Sequence, residues 1–142
     1  MWAGYMAIAS PHPWVDTSGF PVIVITFPVT ATVAELRAMT VATRRFALEL
    51  KEPIGIVSDL SNIRAGDPEA RSIYADFVRD VRNLPNSPVR ATAVITPSTL
   101  QRSLLNLHSF LVGKTPYPVR AFPRRDEAMP WIRALLSTRR TE

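Results

Sequence analysis

A single α/β domain is the fold class this sequence predicts, and three observations predict it. Apolar, β-branched runs of strand length recur, and three of them are each followed by a helix-start signal and a helical stripe. The chain has 142 residues, 46% apolar and 20% charged, which suffices to bury one core and lies well away from the composition of disordered chains. No internal repeat, low-complexity tract or linker divides residues 1–142.

Residues 1–13 mix small, aromatic and proline residues without a period, so a poorly ordered or loosely docked arm is expected there, with Met1 and Met6 both candidate starts. Trp14 to Thr17 forms a short strand, and Ser18-Gly19 supplies a turn. Pro21 to Phe27 is almost wholly apolar, the pattern of a strand covered on both faces. Thr32-Val33-Ala34-Glu35 is a capping box: the threonine hydroxyl accepts from the glutamate amide while the carboxylate reaches back to the threonine amide. The helix it starts buries Leu36, Met39, Thr40, Thr43, Phe46, Ala47 and Leu50, and turns Arg37, Arg44, Arg45 and Glu49 outward.

Ile54 to Val57 is the next strand and Ser58 to Gly66 its polar connection. Asp67 caps a second helix with Pro68 in its first turn, and Ile73, Tyr74, Phe77, Val81 and Leu84 form the inward stripe. Ala91 to Ile95 is a strand followed by Thr96-Pro97, another cap and first-turn proline, before Leu100, Leu104, Leu107, His108 and Leu111. A rigid loop over 113–118 leads to a strand at Val119 to Phe122. Its Gly-Lys-Thr is no phosphate loop, because His108 stands where the first glycine is needed and Pro116 blocks the helix. The last helix covers Asp126 to Ser137 and buries Met129, Ile132, Leu135 and Trp131. Pro130 either kinks it or sits in a later first turn. A basic tail closes the chain over 137–142.

Chemistry-bearing residues are sparse. Without cysteine there is no disulfide and no thiolate metal site, and neither histidine has a second histidine at ligand spacing. No glycine-flanked serine makes a nucleophile elbow. No catalytic residue, metal or cofactor is therefore expected, and the reading is of a protein that is not an enzyme. With no basic-then-apolar leader and no run approaching the ~20 residues of a bilayer span, the expectation is a soluble, cytoplasmic protein. The net charge of +5 arises after Pro85: the 17 basic residues split 8 and 9 about that point, the 12 acidic ones 9 and 3. A solubilising surface is the default for the C-terminal arginines, and no nucleic-acid contact is expected.

Three runs carry a family likeness: Phe20 to Phe27, Val57-Ser58-Asp59-Leu60-Ser61, and Val94-Ile95-Thr96-Pro97-Ser98, with a closing segment over Val119 to Trp131. The pattern resembles the STAS domain of anti-sigma-factor antagonists, in its branch of small stand-alone, uncharacterised bacterial proteins. The resemblance implies a mixed four- to five-stranded sheet, about four helices packed mainly on one face, and a partner-facing edge. In that family a strand ends in Asp-Leu-Ser, and Asp-Ser-Ser-Gly carrying the phosphorylated serine begins eight residues on. Here Asp59 and Asp67 keep the separation, but Pro68-Glu69-Ala70 follows, so the switch serine is missing.

Asp59, Ser61, Asn62 and Arg64 fall at the carboxyl end of the inferred central strand, where open α/β sheets place ligands. Local turn chemistry also accounts for them. With Asp67, Glu69, Thr96 and Ser98 they are the candidate partner- or ligand-binding residues. The leading expectation is a regulatory or protein-interaction domain with a protein partner, homodimerisation remaining open. The alternative is a carrier or sensor of a small apolar, lipid-like ligand, held in a pocket lined by Trp14, Tyr117, Phe122 and Trp131.

Overall fold

A computed structural model of the chain describes residues 8–62, 87–96 and 117–140, with the side chains of 138–140 excepted. Its elements are β1 (Val15–Asp16), β2 (Val22–Thr26), α1 (Val33–Glu49), β3 (Ile54–Asp59), β4 (Val89–Ile95), β5 (Val119–Phe122) and α2 (Arg125–Arg140). The five strands form one sheet in the order β1-β2-β3-β4-β5. β1 pairs antiparallel with β2, and the three remaining pairs are parallel. The expected mixed sheet is therefore present, with β3 at its centre. The predicted helices that begin at Asp67 and at Thr96-Pro97 lie outside the described residues.

Alternation along the strands divides the core in two. Ile23 and Ile25 of β2 and Ile54 and Ile56 of β3 join Leu36 and Met39 of α1 on one face. Val22, Val57, Ala91, Ala93 and Ile95 join Ala128, Ile132 and Leu136 of α2 on the other. The two described helices thus cover opposite faces, rather than lying mainly on one. β3 is buried at all six positions because it is sandwiched between them.

α1 begins as the local sequence dictates: Glu35 N–H donates to Thr32 Oγ1 at 3.1 Å and Thr32 N–H to Glu35 Oε1 at 2.9 Å. Leu36, Met39, Thr43 and Ala47 make its buried stripe. α2 differs from expectation in its face. Ala128, Ile132 and Leu136 are fully or almost fully buried, four apart, whereas Met129, Trp131 and Leu135 are half-buried on its shoulders. Pro130 lies inside the helix with its ring exposed. The amide it lacks would have bonded the carbonyl of the exposed Asp126, which water can satisfy instead.

Small residues let α2 lie close to the sheet. A Cβ placed on Gly55 would stand 2.6 Å from Ile132 Cγ1 and 2.7 Å from its Cδ1, so the helix occupies the space that any other residue would fill. Ala91 and Ala93, both fully buried, continue this low floor onto β4.

Of the predicted arm, residues 8–13 are described. Thr17 Oγ1 donates to the Ile8 carbonyl at 2.6 Å, and Trp14 N–H donates to His12 Nδ1 at 3.2 Å, tying them to the β1 edge. The Phe20–Pro21 peptide bond is cis. Among the described residues no helix is long and apolar enough to cross a membrane.

Candidate functional site

Three parallel strands end in one row. Thr26 of β2 is the register partner of Asp59 of β3, which in turn partners Ile95 of β4. One residue further on, each chain leaves the sheet with a backbone bond to its neighbour. Phe27 N–H donates to the Asp59 carbonyl at 3.1 Å, Leu60 N–H to Ile95 at 2.9 Å and Thr96 N–H to Phe122 at 2.9 Å. The turns above the row therefore start from fixed positions, at the carboxyl edge where parallel sheets display ligand-binding groups.

Asp59 follows Gly55 and Val57 on the α2 side of β3, and its side chain is only 7% exposed. Its Oδ1 accepts from the Ser61 amide at 2.9 Å and from the Ser61 hydroxyl at 2.5 Å, closing an Asx turn over Leu60. Its Oδ2 accepts from Arg125 Nε at 2.6 Å, and Arg125 Nη2 donates to Thr26 Oγ1 at 2.5 Å. One carboxylate thus holds the turn after β3, while the first residue of α2 spans to the end of β2.

Burial pushes the Asp59 carboxyl up, but hydrogen bonds from the Ser61 hydroxyl and amide and the hydrogen bond and charge of Arg125 outweigh it. The net direction is downward, so the group is a carboxylate at neutral pH with both oxygens engaged. Such a group is a weak base whose lone pairs are already committed, and its chemistry is that of a brace.

Of the sequence-predicted site residues, Asp59 and Ser61 are brought into direct contact, and Asn62 follows them, exposed, in the same turn. Thr96 directly follows β4 and is only 2% exposed. Arg64, Asp67, Glu69 and Ser98 lie outside the described residues. Sequence reasoning missed Arg125 and Thr26. Thr26 carried a faint signal, as the one polar residue of an otherwise apolar run, whereas Arg125 was one of several C-terminal arginines with nothing to single it out.

The aromatic quartet does not converge on one cavity. Trp14 and Tyr117 belong to the α1 side of the sheet, where Trp14 stands 6.0 Å from the Phe27 ring. Phe122 and Trp131 pack together on the α2 side at 5.3 Å between ring centroids. The sheet separates the pairs.

A five-stranded mixed sheet with helices on its faces and a braced carboxyl edge defines a class of small α/β domain. No family model and no curated protein matches the chain. Among solved structures it is similar to the crystal structure of an uncharacterized protein of the DUF3478 family from Shewanella loihica PV-4, which has a SpoIIAA-like fold. The TM-score is 0.59 with 15% identity, over 78% of this chain and 83% of that one. The fold is therefore SpoIIAA-like, the fold of STAS domains, as the strand runs and their end motifs implied.

Proposed function

We propose that this chain is a non-enzymatic, STAS-like regulatory or protein-interaction domain that meets a protein partner with the Leu60–Asn62 turn. One observation carries the reading: the exposed Ser61, with Asn62 next to it, is held by a buried carboxylate that Arg125 braces from α2 while itself bonding Thr26 of β2. A turn fixed in this way loses little conformational freedom on binding, which is what a recognition surface gains from preorganisation. Pro68-Glu69-Ala70 in place of the switch residues supports a partner contact that does not depend on serine phosphorylation at that position.

The test is capture of partners from a lysate of the source organism by the tagged wild type, Asn62→Arg and Ser61→Glu. The expected result is a partner held by the wild type and lost by both variants. A partner retained equally by all three would remove this turn as the contact. Circular dichroism of each variant establishes that the loss is one of surface and not of fold.

A further inference from the structure

α1 carries a second ordered face that the core does not use. Ala34, Ala38, Val41, Arg45 and Leu48 are all exposed, and their alternating spacings of four and three form a heptad seam along the side turned away from the sheet. Val41 and Leu48 are 58% and 52% exposed, two of three large apolar side chains so placed among the described residues. Arg37 and Arg44 lie along one flank of the seam, Glu35 and Glu49 along the other. Glu35 is committed to the helix cap. The ion pairs among the described residues are Arg124–Asp126 and Arg125–Asp59, so Arg37, Arg44 and Arg45 bring three unpaired cations to this face.

We infer that the outer face of α1 docks an acidic amphipathic helix of another protein. Its apolar residues would cover Val41 and Leu48, and its carboxylates would face Arg37, Arg44 and Arg45. The charge pattern selects this occupant. A second copy packed parallel would set Arg45 against Arg45 in the seam, and one packed antiparallel would set the arginine flanks against each other. An anionic membrane would need a broad face of large apolar or aromatic side chains, where here there are two aliphatic ones. The helix is 17 residues, or about 25 Å, so the contact belongs to the small, transient class of interface. It lies on a different element from the Leu60–Asn62 turn, and the two surfaces are separable by mutation.

The experiment uses the full chain and a labelled synthetic helix of roughly three heptads, with leucine along its seam, glutamate at one seam position and on the flank that faces Arg37 and Arg44, and glutamine on the flank that faces Glu49. The control peptide carries lysine for every glutamate. Fluorescence anisotropy should give a Kd on the order of 10 μM for the acidic peptide, weaker at higher salt. Arg44→Glu with Arg45→Glu, and separately Val41→Ser with Leu48→Ser, should each weaken it at least about tenfold, and Asn62→Arg should leave it unchanged. The proposal is overturned by no binding of the acidic peptide up to about 1 mM, by equal binding of the lysine control, by charge reversal without effect, or by adhesion to phosphatidylserine vesicles in place of the peptide. Sedimentation that shows self-association abolished by Arg45→Glu would overturn it in favour of a second copy.

Discussion

The two described helices are made by different means. α1 is specified along its own length: a capping box starts it, and a stripe at helical spacing directs it to the sheet. Among the described residues no side chain caps α2. Its first residue is Arg125, held in place by Asp59 and Thr26 from distant strands, and its seat is prepared by Gly55, Ala91 and Ala93. A locally encoded helix can be found from sequence. A helix seated by what lies beneath it can be found as well, as the expected Asp126 to Ser137 falls within Arg125–Arg140, but its buried face cannot be placed, because the fit exists only once the sheet has formed.

The contrast predicts where each helix is vulnerable. The largest effect is expected from Ile132→Ala, which empties the centre of the α2 seat and should destabilise by ~3 kcal/mol in urea titration. Gly55→Ala should cost ~1–3 kcal/mol, since the branched Ile132 side chain must yield to the new methyl. Combining the two should cost clearly less than the sum, because the methyl then enters vacated space. Strict additivity would show that Gly55 is not the seat of α2.

Next comes Asp59→Asn, expected to cost about 1–2 kcal/mol; the value is modest because the Arg125 side chain is 45% exposed and partly screened. The folded-state carboxyl titrates below its ordinary value of 3.8, so its contribution is complete above that value and disappears as pH falls through the lower folded-state value. Wild type and Asp59→Asn should therefore converge in stability at strongly acidic pH, and a constant difference across that range would dismiss the brace. Thr32→Ala should cost ~1 kcal/mol by removing the α1 cap, with an effect on α1 alone. The smallest effect, within about 0.5 kcal/mol, is expected of Arg44→Glu with Arg45→Glu on the outer face of α1.

Legibility follows the same division. The strands from Pro21, Ile54, Ala91 and Val119 were readable because apolar β-branched runs are local, and the structure shifts their ends by up to two residues. β3 runs on through Ser58 to Asp59, so the polar pair assigned to the connection is its last turn in the sheet. Asp59 and Ser61 stood out because an Asx turn is written in three consecutive residues. Arg125 did not, since its partner lies 66 positions away and only strand order brings them together. The α2 stripe was misplaced toward larger side chains for a related reason. Over a floor of glycine and alanine, the residue closest to the sheet can be as small as Ala128.

The sequential strand order has a consequence for how the domain comes into being on the ribosome. Each strand pairs with the one made just before it, so the sheet can be extended as the chain emerges. The helix that covers the Gly55, Ala91 and Ala93 face is the last described element to be synthesised. Until Ile132 and Leu136 arrive, a nascent chain with a nearly finished sheet shows that face to its surroundings, and this interval is when a chaperone has the most to protect.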